Sequence, residues 1–154
     1  MASTMFDSGL YRDVFSTPAM RAVFSDEAQL GAYVQAEVAL AVAQGEAGVI
    51  PHEAAREIAR QAPTIVLDRE QLKRDTENVG YPIVGLVRQL SQQLGEAGRY
   101  VHWGATTQDI MDTATVLPLR DALALVETDL AALDATLSAL AARHRDTVMA
   151  GRTH

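Results

Sequence analysis

Apolar residues recur at intervals of three and four along much of the chain, which is the spacing of one face of an α-helix. The clearest early stripe predicts a helix from about Asp26 to Glu46, with Ser25 as its N-terminal cap and Gly48 just beyond its end. Its apolar positions are Leu30, Val34, Val38 and Ala41.

Proline and glycine divide the rest of the first hundred residues into shorter elements. The pattern predicts a helix over about 51–61, another that opens at Pro82, and a short helical piece over about 68–73. Residues 1–24 are mixed in character, with Pro18 as a helix breaker. No segment has the length and alternation of a strand that belongs to a sheet, so we expect an all-α protein.

A leucine-rich seam dominates the last third of the chain, and it predicts one helix from about Ile110 to Arg145. Such a helix is roughly 50 Å long at 1.5 Å per residue, and Pro118 is expected to bend it near its start. A seam of this kind is buried against other long helices, so we expect self-association. A coiled-coil dimerisation helix is an alternative interpretation of the same periodicity. The seam residues, at spacings of 4, 3, 4, 3, 4 and 3, are Leu119, Leu123, Val126, Leu130, Leu133, Leu137 and Leu140.

Composition is that of an ordinary folded domain. Hydrophobic residues make up 48% of the chain and charged residues 21%, and there is no cysteine. The lack of cysteine excludes a disulfide framework and a Cys-ligated zinc site. The N-terminal residues lack the basic stretch and apolar core of a signal peptide, and the longest apolar run is too short to cross a bilayer. We therefore expect a cytoplasmic protein that is not associated with a membrane.

Charge and motif content narrow the possible ligands. The net charge of −7 leaves no broad basic surface for nucleic acid, although a small anion site is compatible with it. No histidine pair has metal-ligand spacing, and no Gly-rich loop is of the phosphate-binding type. We expect neither a metal nor a cofactor.

A polar loop leads into the long helix and carries the candidate chemistry. Thr106 and Asp109 have the spacing of a capping box, although Asp replaces the usual Glu or Gln. Two adjacent hydroxyls, on Thr106 and Thr107, lie at the positive end of the helix dipole, where unpaired N–H groups suit a carboxylate ligand. The same residues are equally explained as a simple helix cap.

Histidine and threonine side chains lie just outside this loop and at the end of the chain. His102 suits anion binding or proton donation, or else a structural hydrogen bond beside Trp103. Thr153 and His154 follow Gly151, which we expect to break the helix. A natural C-terminus could also have this sequence.

Two segments resemble the signatures of the fumarase/aspartase superfamily. Residues 104–114 resemble its first signature, in which a Thr/Ser pair precedes Asp and then Asp-Thr-Ala, and residues 150–154 resemble the opening of its second. Residues 24–28 and 48–51 look like the N-terminal region of 3-carboxy-cis,cis-muconate cycloisomerases. The likeness extends over nearly the whole chain.

This resemblance implies a fold and an assembly. Residues 1–103 would form a small N-terminal helical domain, and residues 104–154 the first signature loop and the first long helix of a central helical bundle. The implied assembly is a homotetramer, in which each active site combines signatures from three subunits. The third signature, with its Ser base, is absent from these 154 residues, so we expect a fragment that is inactive alone.

The implied reaction converts 3-carboxy-cis,cis-muconate to a carboxymuconolactone by intramolecular carboxylate addition. An alternative is an adenylosuccinate-lyase-like C–N or C–O lyase that releases fumarate from a succinyl-type substrate. Val14-Phe15 and Gly80-Tyr81 stand where adenylosuccinate lyases carry Arg-Tyr and His-Asp, which argues against a nucleotide substrate. His154 stands where many cycloisomerases carry Trp and lyases carry His, which favours a lyase. A further alternative is a non-catalytic helical association module.

The predicted site takes a small polycarboxylate. The threonine pair would bind one substrate carboxylate, Asp109 would orient the loop, and His102 would bind another carboxylate. The residues near the C-terminus would serve the site of a neighbouring subunit, with His154 as general acid. The predicted substrate-binding residues are His102, Thr106, Thr107, Gln108, Asp109 and Thr153, and the predicted catalytic residue is His154.

Overall fold

The computed structural model describes residues 4–152, and its regular structure over that range is entirely helical. Short 3₁₀ segments at Ala62–Thr64 and Gly95–Tyr100 link some of the α-helices. The all-α prediction is confirmed for the described residues. In chain order, the α-helices are α1 (Arg12–Phe15), α2 (Pro18–Val23), α3 (Asp26–Glu46), α4 (His52–Gln61), α5 (Arg69–Val79), α6 (Ile83–Gln93) and α7 (Thr107–His144).

The helices with strong apolar periodicity begin and end close to the predicted residues. Helix α3 has the predicted bounds, and Ser25 caps it by accepting a hydrogen bond from the N–H of Ala28 at 3.2 Å. Helix α4 begins one residue after Pro51, and α6 one residue after Pro82. Local capping and proline geometry are therefore enough to set these boundaries.

Two elements near the weakly patterned stretches differ from the prediction. Pro18 is the first residue of α2 and not a breaker, and Thr17 caps that helix. Helix α5 extends to Val79, well beyond the predicted 68–73, and ends at Gly80, whose φ of 96° is left-handed. A mostly polar helix gives little periodic signal, which is why the sequence pattern underestimated α5.

The hydrophobic core lies between α3, α4, α6 and the first turns of α7. Its fully buried members include Ile58 of α4, Leu86 and Leu90 of α6, and Ala114 of α7. Helix α3 packs against both α4 and α7. Helix α3 therefore lies between α4 and the start of α7, and it contacts both.

Helix α7 has two unlike halves. Its first turns bury one residue in every four against the core, and all residues from 126 to 144 are exposed. The predicted long helix is confirmed; it begins at Thr107, passes through the buried Pro118 and ends at His144. The expectation that Gly151 breaks this helix is wrong, because the helix has already ended seven residues earlier. The seam residues from Leu119 to Leu140 are 42–61% exposed. Self-association through this seam stays a prediction.

The hydropathy of the helices also bears on membrane association. Among residues 4–152, no helix combines the length and the apolar character that a bilayer-spanning segment requires.

Two glycines on α3 allow a test of its packing against α4. A Cβ added at Gly45 would lie 2.4 Å from the Cβ of Ala55, whereas one added at Gly31 would meet nothing within 4 Å. We predict that Gly45→Ala lowers the free energy of unfolding by about 1–3 kcal/mol through overpacking. Gly31→Ala should raise it by about 0.5–1 kcal/mol, because Ala favours helix. Urea unfolding of both variants measures this, and equal shifts would contradict the close α3–α4 contact.

Candidate active site

The loop that precedes α7 is held in an unusual backbone conformation. Within the described residues, His102 is the only non-glycine residue with a positive φ, at 61°, and Gly104 follows with a φ of 68°. A left-handed conformation costs a non-glycine residue about 1–2 kcal/mol. It persists only where the surroundings impose it, and such residues cluster at functional sites.

Helix α3 supplies one contact that fixes this loop. The Nε2 of Gln44 donates a hydrogen bond to the carbonyl oxygen of Trp103 at 2.6 Å. The rings of Trp103 and Tyr100 also lie 5.8 Å apart, between centroids. The loop is thus held from both α3 and the preceding 3₁₀ segment.

The start of α7 is a capping box, as its spacing predicted. Thr106 and Asp109 are its two members, and the Asp109 carboxylate accepts a hydrogen bond from the N–H of Thr106 at 2.9 Å. The Asp109 carbonyl also accepts a hydrogen bond from the hydroxyl of Thr113 at 2.7 Å. Asp109 therefore shapes the helix start.

Thr107 is the first residue of α7 and is half-buried. Within residues 4–152 its hydroxyl makes no hydrogen bond, whereas the neighbouring Gln108 donates from Nε2 to Oδ1 of Asp112 at 2.5 Å. The first N–H groups of an α-helix have no partners within the helix. Thr107 thus combines an uncommitted hydroxyl with the positive end of a 38-residue helix.

A groove of about 330 Å³ lies between α3 and this helix start. Gln44 and Leu40 line its α3 side, and Gly104, Asp109 and Thr113 line the other. The Oε1 atom of Gln44 is buried and has no hydrogen-bond partner within the described part of the chain. A larger groove of about 580 Å³, between α3 and residues 62–69, contains none of the predicted site residues.

His102 pairs with a buried glutamate that the sequence did not single out. Its Nδ1 lies 2.6 Å from Oε1 of Glu37, which is only 1% exposed. Burial raises the pKa of Glu37 above its ordinary value, and the interaction with His102 opposes that rise. Oε2 of Glu37 has no partner among residues 4–152.

Some sequence signal for Glu37 did exist. It lies four residues after Tyr33 and four before Ala41, and both are buried on the same face of α3. A charged residue on a buried helical face implies a partner. The sequence could not reveal that this partner is His102, 65 residues further along the chain.

The structure brings most of the predicted site residues together at one end of α7. His102, Thr106, Thr107, Gln108 and Asp109 lie in or beside the capping loop. Their roles in substrate binding stay predictions. Thr153 and His154 lie outside the described residues. Within residues 4–152, no cluster of three or more His, Cys, Asp or Glu side chains is placed to hold a metal ion.

Similar proteins include lyases of several activities. N-acetyl-S-(2-succino)cysteine lyase of Dickeya dadantii is 43% identical over 154 residues, which cover all of this chain and 34% of that protein. Adenylosuccinate lyase of Methanothermobacter thermautotrophicus is 44% identical over 144 residues, which cover 91% of this chain and 31% of that protein. The chain thus spans about a third of the length of these curated relatives.

Solved structures match the fold closely. A fumarate lyase from Mesorhizobium sp. BNC1 matches with a TM-score of 0.84 and 56% identity, over 88% of this chain and 32% of that one. A β-carboxy-cis,cis-muconate cycloisomerase from Acinetobacter calcoaceticus sp. ADP1 matches with a TM-score of 0.90 and 42% identity, over 94% and 35%. A family model described as Lyase covers residues 12–154. The chain belongs to this lyase family, the fumarase/aspartase superfamily that its signature-like segments predicted.

Proposed function

We propose that this chain supplies the carboxylate-binding part of a 3-carboxy-cis,cis-muconate cycloisomerase. The observation that carries the proposal is the hydroxyl of Thr107, which has no hydrogen-bond partner among residues 4–152 and lies at the exposed N-terminus of a 38-residue helix. Hydroxyl and N–H donors at such a terminus bind carboxylate oxygens well, because the helix dipole adds to the hydrogen bonds. Likeness to a solved cycloisomerase over 94% of the chain supports the choice of reaction.

The proposed reaction builds up negative charge on the substrate, so hydrogen-bond donors in the site would speed it. In the proposed reaction one substrate carboxylate adds to a C=C bond of the same molecule, so the substrate itself provides the nucleophile and no cofactor is required. The carbon next to a second carboxylate becomes a carbanion, and that carboxylate then resembles a doubly charged aci-acid. Donors already directed at the developing charge lower the barrier, and removal of one typically costs about 10²–10³ in rate.

Each predicted residue has a role in this scheme. Thr106 and Thr107 bind one substrate carboxylate, and Asp109, through the capping box, orients their loop. His102 binds a second carboxylate through Nε2, since Nδ1 is paired with Glu37. Gln108, held by Asp112, completes the polar rim.

The rest of the site is proposed to come from other subunits of a homotetramer. The exposed leucine seam of α7 supports this, because seven large apolar side chains at heptad spacing form a surface that other long helices cover. In that assembly Thr153 and His154 serve a neighbouring site, with His154 as the general acid of a lyase-like reaction.

A lyase that acts on a succinyl-type substrate and releases fumarate is the second candidate. Two relatives whose names state such activities, N-acetyl-S-(2-succino)cysteine lyase and adenylosuccinate lyase, are as similar to this chain as the cycloisomerase is, at 43% and 44% identity. The two reactions share a carbanion beside a carboxylate. They differ in the bond that forms or breaks at the next carbon.

A substrate assay separates these candidates. We expect the full-length protein to consume 3-carboxy-cis,cis-muconate and to form a lactone, measured by ultraviolet absorbance and product analysis. Fumarate release from N-acetyl-S-(2-succino)cysteine or adenylosuccinate, without lactone formation, would replace the first candidate by the second. A folded protein that turns over none of the three would contradict the enzymatic proposal and favour a helical association module.

Replacement of Thr107 tests the carboxylate-binding role. We predict that Thr107→Ala in the full-length protein lowers turnover by at least about tenfold, because one donor to the developing charge is lost. Size-exclusion chromatography should show an unchanged assembly. Thr115→Ala is the matched control, since Thr115 is exposed on the same helix and its hydroxyl bonds to the carbonyl of Met111. Equal rates in the two variants would remove Thr107 from the site.

A further inference from the structure

We infer that Glu37 is a positioning residue for His102. The two side chains hold one proton between Oε1 of Glu37 and Nδ1 of His102, so that Nε2–H is presented to a substrate carboxylate. This inference rests on the proposed function, because it assigns His102 a carboxylate to bind.

Of the two ring nitrogens of His102, Nδ1 is hydrogen-bonded to Glu37 and Nε2 is not. The Nδ1–Oε1 distance of 2.6 Å is that of a short, charge-assisted hydrogen bond. The His102 side chain is 18% exposed, and its Nε2 has no hydrogen-bond partner among residues 4–152. Nε2 is therefore the ring atom that can contact a ligand.

Because Glu37 is buried, its carboxyl group needs His102 to neutralise its charge. Its side chain is removed from solvent, and in the described part of the chain Oε1 is paired with His102 and Oε2 has no partner. A buried carboxylate with one oxygen left unpaired is costly unless its charge is neutralised. A shared proton makes the pair neutral overall.

Nε2 of His102 is a hydrogen-bond donor whether the shared proton lies nearer to Glu37 or nearer to Nδ1. A Glu37 carboxylate with a His102 imidazolium has hydrogen on both ring nitrogens. A protonated Glu37 that donates to Nδ1 leaves a neutral ring with hydrogen on Nε2. In both arrangements Nε2 is a donor. If the pair lost one of its two protons and kept the other on Nδ1 against the carboxylate, Nε2 would be bare and could only accept.

Two further observations agree with this assignment. Burial raises the pKa of Glu37, a shift in the direction of retaining a proton in the pair. Glu37 and Gln44 are seven residues apart on α3, so they lie on one face, where Glu37 bonds to the ring of His102 and Gln44 bonds to the backbone carbonyl of Trp103. Helix α3 thus contacts two consecutive residues of this loop.

A spectroscopic test reads the proton directly and does not depend on activity. In this 154-residue chain labelled with ¹⁵N-histidine, we expect His102 to show a protonated Nε2 and a far-downfield proton coupled to Nδ1 at neutral pH. Glu37→Gln should abolish the downfield signal, because the carboxylate that shares the proton is gone. His102→Asn assigns the signal and tolerates a left-handed backbone. A bare Nε2 in the wild type, or an unchanged signal in Glu37→Gln, would overturn the inference.

A kinetic test of the full-length protein distinguishes positioning from mere stabilisation. We expect Glu37→Gln to raise the KM for the polycarboxylate substrate about tenfold with a much smaller change in kcat, because substrate binding is weakened. His102→Asn should have a similar effect, and the double variant should be no worse than His102→Asn alone, since the two residues act as one unit. Lower thermal stability of Glu37→Gln with a wild-type KM would show a structural role and overturn the inference.

The two proposals fail in different ways. Absence of turnover by the wild-type protein on all three candidate substrates overturns the proposed function, and with it the substrate role of His102. The proton shared by Glu37 and His102 is then still judged by its resonance. Should Glu37→Gln fail to fold, the protonation of Nε2 in the wild type and its loss in His102→Asn decide the point.

Discussion

The first turns of α7 pack against α3, and this contact positions the described residues of the proposed site, which lie in the loop before α7 and in its first turn. Ile110, Ala114, Pro118 and Ala122 are buried at every fourth position of α7, and small residues such as Ala36 and Ala41 are buried on α3. Small side chains allow two helices to approach closely. This contact fixes the position of the first turn of α7 relative to α3. It therefore also fixes the position of the N–H groups of that turn and of the Thr107 hydroxyl.

The same α3 surface also holds the loop that leads into α7. Gln44 bonds to the backbone of Trp103, and Glu37 pairs with the ring of His102. Glu37 and Gln44 both lie on α3, so the proposed site is supported by a helix of the folded core. Hydrogen-bond donors stabilise developing charge best when the protein already holds them in place, because a mobile donor must first be ordered. The exposed half of α7, in contrast, is available for contacts with other helices.

Local sequence signals were sufficient for α3, α4, α6, α7 and the capping box. The bounds of α3 followed from Ser25 and a regular apolar stripe, and the spacing of Thr106 and Asp109 predicted their reciprocal arrangement. The polar helix α5 was predicted too short, because its one buried hydrophobic residue, Leu72, provides no periodicity. The sequence analysis missed Glu37, because its role depends on His102, which lies in a loop 65 residues further along the chain. No sequence pattern states which distant polar groups will meet after folding.

The most direct test of carboxylate binding at the start of α7 is a crystal structure of the full-length protein with a bound polycarboxylate, such as the lactone product of the proposed reaction. We predict one carboxylate of the ligand at the Thr107 hydroxyl and the first N–H groups of α7, and another within hydrogen-bond distance of Nε2 of His102. A ligand that occupies a pocket elsewhere, with the start of α7 in contact only with solvent or protein, would contradict this prediction.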